Sequence, residues 1–205
     1  MVMRNKIRLH FPDTYITTRS VANIYVADFS ERTNHLRGVE VSNFHPDCPI
    51  DASKKMDCMI IHNAMLIDVD FNIFDDSQFK NADGRDMTHC ECCIYPTINH
   101  DKSWVIMLEI KDCKPKNISK YKDVARGQII STAKYFRDKN IITSHKVYGV
   151  LSFPRSKVSF DSTIFGMPPD YKRLKKEYNI AFLASNVVEI VDDTRIKPLD
   201  NELKG

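Results

Sequence analysis

Three residues of this sequence have the types and spacing to do chemistry together: Glu91, Glu109 and Lys111, within the stretch "CECCIYPTINHDKSWVIMLEIKDCK". The two glutamates lie at mirrored distances from the polar segment "TINHDKS", so a hairpin folded about that segment sets one carboxylate against the other. Like charges directly opposed on a sheet destabilise it, and something must compensate. Lys111, two residues past Glu109 on the same face, supplies one cation. A divalent metal between the carboxylates, with waters completing an octahedral shell, would supply another. Together they suit phosphodiester hydrolysis: the metal lowers the pKa of an attacking water, and both cations stabilise the charge gathering on phosphorus. The backbone carbonyl of Ile110, between Glu109 and Lys111, is a further candidate metal ligand. The plain alternative is a salt-bridged trio at a sheet edge. Against it, "WVIML" runs directly into the motif, and charges that end a nearly continuous apolar strand are rarely decorative.

The elements that must position these residues are legible from residue 86 onward. Residues 87–96 and 104–111 read as two strands whose opposed residues sum to about 200. In that register Glu91, Cys93 and Tyr95 face Glu109, Met107 and Val105. On the other side Cys90, Cys92 and Ile94 oppose Ile110, Leu108 and Ile106, a wholly apolar face that must be buried. Pro115 delays the next helix until Asn117 or Ser119 caps it. Residues 119–138 then carry Tyr121, Ala125, Gln128, Thr132 and Tyr135 at helical spacing, flanked by Val124, Ile129 and Phe136. A strand over 146–153, a loop to Pro169, a charged helix "DYKRLKKEY", a strand over 186–191 and a polar tail complete this half. The order strand, strand, helix, strand, helix, strand predicts an α/β layer with a crossover helix. Residues 1–85 read as a β-rich N-terminal region of short extended pieces, among them "KIRLHF", "SVANIYVADF" and "LRGVEVSNF", with no long amphipathic helix.

An acid on one hairpin strand, "LEIK" ending the next, and a helix carrying "ARGQIISTAKYF" together resemble the PD-(D/E)XK nuclease superfamily. The resemblance covers roughly residues 86–153. It implies a restriction-endonuclease-like mixed β-sheet of αβββαβ type, flanked by helices. Glu91 then stands for the second-strand acid, Glu109 and Lys111 for the ExK pair, and Gln128 for the helical glutamine that supports the site. The implied cofactor is Mg²⁺ or Mn²⁺, held by Glu91, Glu109 and the Ile110 carbonyl. The usual first acid is Asp, so Asp86 is a second candidate for that place, and Glu40 is a candidate for the optional first-helix acid.

With 205 residues and 42% hydrophobic content the chain can form one sizeable domain, a β-rich region over 1–85 and a nuclease-like core over 86–205. A net charge of +3 permits a polyanionic partner without requiring one. Lys114, Lys116, Lys120 and Lys122 follow the ExK closely, either as a solvated loop or as a contact for a nucleic-acid backbone. No apolar stretch approaches membrane-spanning length and no signal-like segment follows Met1, so a cytoplasmic protein with reduced thiols is expected. The run "HCECC" is not a zinc site in this reading, because successive strand residues point to opposite faces. The sequence therefore leads to a metal-dependent nuclease acting on DNA, with a homodimer as the usual arrangement for cutting both strands. A nuclease-fold module that binds without cutting and a smaller-substrate phosphodiesterase are the alternatives.

Overall fold

The apolar run Trp104–Ile110 is a strand buried along its whole length, because it is covered on both faces. In the computed structural model, which describes residues 2–80, 83–157 and 168–199, it lies at the centre of the molecule. The elements in chain order are α1 (Met3–His10), β1 (Tyr15–Arg19), β2 (Asn23–Asp28), β3 (Val39–Ser42), β4 (Asp47–Cys48), β5 (Asp51–Lys55), β6 (Met59–His62), β7 (Val69–Ile73), β8 (Cys92–Pro96), β9 (Trp104–Ile110), α2 (Ile118–Asp138), β10 (Lys146–Ser152), α3 (Pro168–Tyr178), β11 (Ala181–Ala184), β12 (Val187–Asp192) and β13 (Arg195–Pro198). The loop expected before Pro169 and the polar C-terminal tail lie largely outside the described residues.

The chain is a mixed α/β protein. One sheet has six strands in the order β1-β7-β8-β9-β10-β11, and a second has five in the order β13-β12-β6-β2-β3. In the first, β7, β8 and β9 are antiparallel neighbours, while β9, β10 and β11 run parallel. Helix α2 makes the crossover from β9 to β10, as parallel neighbours require. The hairpin register is the expected one, with Cys92 opposite Leu108, Cys93 opposite Met107 and Ile94 opposite Ile106.

The two faces of β9 enter different cores. Val105 and Met107 pack with Cys93 and Tyr95 against Met3 and Ile7 of α1, Ala125, Ile129 and Phe136 of α2, and Leu174 of α3. Ile106, Leu108 and Ile110 pack with Cys92 and Ile94 against Ile24, Val26, Ile61, Val188 and Ile190 of the second sheet. The sheet is thus flanked by helices on one face only, and the apolar face of the hairpin is covered by a sheet. Both sheets draw strands from either side of residue 85. β1 and β7 extend the first sheet, and β12 pairs in parallel with β6 in the second.

Three local expectations are corrected. "KIRLHF" is not extended: Met3, Ile7 and Phe11 recur at helical spacing and are all buried, while Leu9, which strand alternation would have buried, is 69% exposed. Strand β8 begins at Cys92 rather than 87, and the chain bends at Glu91. Cys90 therefore joins Cys93 in the helix-side core instead of sharing the Cys92 face. Val124, expected beside the core stripe of α2, is exposed. No helix among the described residues is long and apolar enough to cross a membrane.

Gly149 leaves the room in which the Phe182 ring and Ile129 of α2 pack against β10. A Cβ there would lie 2.8 Å from the Phe182 ring and 2.9 Å from the Ile129 side chain.

Candidate active site

The ExK segment is placed by the end of β9. Glu109 is the last acidic residue of a buried strand, and its side chain is fully buried. Lys111 follows where the strand ends, its amide donating to the Ser152 carbonyl of β10 at 2.9 Å. The Lys111 Nζ lies 2.6 Å from Glu109 Oε1, an ion pair at the rim of the core. That oxygen has no hydrogen bond of good angle, so the ion pair is its compensation. Burial pushes the Glu109 carboxyl up to about 7 against the pull of Lys111. Burial also opposes the Lys111 ammonium, but Glu109, helped by Glu91 and Asp28, outweighs it, and the pKa of the lysine is raised.

Glu91 meets Glu109 through its backbone: its N–H donates to Glu109 Oε2 at 3.2 Å. Helix α2 holds the segment just before it. Gln128 Nε2 donates to the His89 carbonyl at 3.0 Å, and the Cys90 amide donates to Thr132 Oγ1 at 2.8 Å. Thr132 donates onward to the Gln128 carbonyl at 2.9 Å. Gln128 therefore acts on the strand that presents Glu91 and is not among the residues lining the cavity described next. Thr132 shares this work; in the sequence it was one more residue of the apolar stripe.

Glu91 and Lys111 open into a cavity of about 760 Å³. Its far wall is the loop after β2, with Ser30, Glu31 and His35, and its near wall is the start of α2, with Lys114, Lys116, Asn117 and Tyr121. Asp28, at the end of β2, is 7% exposed and lines the same cavity. Its Oδ1 accepts the Ser30 amide at 2.9 Å. The sequence offered no signal for Asp28, because it reaches the hairpin only through the stacking of one sheet on the other.

The loop is tied down by ionic contacts. Arg32 grips the buried Asp112 with two bonds, Nε to Oδ2 at 2.6 Å and Nη2 to Oδ1 at 2.9 Å, and also reaches Asp57 at 3.0 Å. Asp112 directly follows Lys111, so this fork joins the far wall of the cavity to the ExK segment. At the loop tip Asn34 and His35 have φ of 50° and 62°, left-handed conformations costing a non-glycine residue about 1–2 kcal/mol each.

Other expected residues lie elsewhere or play other parts. The side chain of Ile110 is buried in the inter-sheet core. Lys114 and Lys116 line the cavity, Lys120 lies 5.3 Å from the Tyr121 ring centroid, and Lys122 is not among the lining residues. Asp86 is paired with Lys80, and Glu40 with Arg37 on the second sheet; neither lines the cavity. Cys90, Cys92 and Cys93 are buried and their thiols are pushed up by that burial. Among the described residues no three His, Cys, Asp or Glu side chains gather as a ready metal cage. No family model matches the chain, and no curated protein or solved structure matches it.

Proposed function

We propose that the protein is a metal-dependent nuclease that hydrolyses phosphodiester bonds in DNA, on a restriction-endonuclease-like scaffold of the PD-(D/E)XK type. The observation that carries this reading is the ion pair of the buried Glu109 with Lys111, whose lysine lines a large polar cavity together with Glu91, while Glu109 lies behind it and is not among the lining residues. Burying a carboxylate and an ammonium costs several kcal/mol per ion, and their mutual attraction does not reliably return it, so such a pair at a cavity mouth points to use rather than to stability. The order of elements supports the scaffold: α1, then β7, β8, β9, α2 and β10, follows the αβββαβ pattern, with β1, an added edge strand of the same sheet, and β2 to β6 between the helix and β7.

The donors fit a hard divalent cation. Glu91 and Glu109 offer carboxylate oxygens, Glu109 Oε1 is buried and engaged by the Lys111 ammonium at 2.6 Å, and the Ile110 carbonyl lies between the acid and the lysine in the chain. Mg²⁺ is commonly held by one or two carboxylates, with waters and substrate phosphate completing its shell, so two acids suffice. When bound, the ion would supply a more acidic water and polarise the phosphate. The chain's own residues do the rest. Glu109, pushed up to about 7 by burial in the metal-free chain, would give up its proton to take the ion. Lys111 places a fixed positive charge where charge develops on phosphorus, and Lys114 and Lys116 face the cavity as partners for the flanking backbone. A cytoplasmic location and a homodimer accord with this reading.

A second reading is a nuclease-fold module that binds nucleic acid without cutting. It is favoured by the position of Glu91 at a bend outside β8 and by the lack of a third metal-binding side chain among the described residues. Incubation with single- and double-stranded DNA in Mg²⁺, Mn²⁺ or EDTA separates the two. Cleavage that needs metal and fails in Glu109→Ala supports the nuclease. Salt-sensitive binding without cleavage in any metal supports the module.

A further inference from the structure

The cavity is asymmetric in charge and carries an aromatic ring. The start of α2 presents the exposed ammonium groups of Lys114 and Lys116, the loop after β2 presents Glu31 with Asp28 below, and Arg155 and Asp112 also line the cavity. The exposed lysines beside Tyr121 form a basic strip suited to one phosphate backbone. The volume of about 760 Å³ is in the range that encloses a single drug-sized ligand, room for a nucleotide or two. Tyr121, in the first turn of α2, is half-buried: it packs against the helix-side core and also lines the cavity. Anchored in this way, the ring is a fixed platform on the basic wall, with Lys120 5.3 Å from its centroid. Base–aromatic stacking is tolerant of sequence and is the usual way proteins hold unpaired bases.

We propose that the cavity takes a single strand, with one base stacked on Tyr121 and the adjoining phosphates along Lys114 and Lys116. This rests on reading the Glu109–Lys111 site as phosphodiesterase machinery, and it specifies the substrate as a single-stranded end or an unpaired stretch. Nothing in it requires recognition of particular bases.

Fluorescence anisotropy of labelled dT12 and of a labelled 12-base-pair duplex, measured in EDTA so that no cleavage occurs, tests it. The single strand should bind at least about tenfold tighter than the duplex. Tyr121→Ala should weaken single-strand binding about tenfold or more, as loss of one stacked base does. Tyr121→Phe should retain it, and Val124→Ala, an exposed change on the same helix, should leave it unchanged. Tyr121→Trp gives a second readout that does not depend on the alanine variant folding. The chain's one tryptophan, Trp104, is fully buried, so the new indole should report stacking by quenching when dT12 is added. Tighter binding of the duplex, indifference of dT12 to Tyr121→Ala, or an unquenched Tyr121→Trp would each overturn the inference. Metal-dependent cleavage of duplex alone, with Tyr121→Ala as active as wild type, would overturn it while leaving the nuclease standing. Tyr121-dependent binding of dT12 without cleavage in any metal would support it while overturning the nuclease.

Discussion

Replacing Glu109 by glutamine should stabilise the protein, and the gain should grow as the pH rises. The carboxyl titrates near 7 in the folded chain against an ordinary 4.5 when unfolded, because burial opposes its charged form. Between these values the folded state holds a proton that the unfolded state has released, so this group's contribution to stability falls with rising pH across that window. Below 4.5 both states are protonated and the penalty is absent; above 7 it is complete. At about 1.4 kcal/mol per pH unit the window corresponds to about 3 kcal/mol. The side chain is fully buried, so solvent screening does not reduce the figure. Glutamine matches the neutral acid in shape and never ionises. Urea denaturation in EDTA should therefore give nearly equal stabilities for wild type and Glu109→Gln at pH 4.5, and a gap approaching about 3 kcal/mol in favour of the variant by pH 8. A gap that stays constant from pH 4.5 to 8, or that opens in favour of wild type, would refute the assignment of Glu109 as a carboxylate kept ionised at a cost.

Other changes test other parts of the site. Lys111→Ala should leave divalent-metal binding in place, since an ammonium is no ligand, yet lower single-turnover cleavage about 10²–10³-fold through loss of charge stabilisation. Thr132→Val should leave the buried Cys90 amide without its acceptor and cost about 1–3 kcal/mol in chemical denaturation, with Thr132→Ser close to wild type. Gly149→Ala forces Phe182 or Ile129 aside and should lower stability by about 1–3 kcal/mol, seen as a lower thermal midpoint with the cleavage pattern unchanged.

Legibility in the sequence followed the range of the interactions. The β8–β9 register was readable because a polar turn and period-two alternation are local, and Cys93 and Met107 face each other as that reading requires. Helix α2 and its crossover were readable for the same reason, from Ala125, Ile129 and Phe136 at helical spacing. The first helix was misread because Ile7, Leu9 and Phe11 also alternate, and only the distant core, with Arg4 bonded to the buried Asp70, decides between the two periods. The second sheet was hidden for a stronger reason. Its β6–β12 pair joins segments far apart in the chain, and neither strand signals its partner. Asp28 and Arg32 were missed with it: the Arg32–Asp112 fork spans 80 residues of chain. Gln128 was legible as a polar residue on the α2 stripe, but its bond to the His89 carbonyl, just before Glu91, is visible only in the fold.

If Glu109 is a metal ligand, its proton must leave when the ion arrives. Calorimetric titration of Mg²⁺ and Mn²⁺ at pH 7, in two buffers of different ionisation enthalpy, reads binding and proton release together. Wild type should bind with release of part of a proton, because burial raises the Glu109 carboxyl to about 7. Lys111→Ala should still bind metal, and Glu109→Ala should show neither binding nor release. Equal metal binding by wild type and Glu109→Ala, or binding with no proton released at pH 7, would contradict the account.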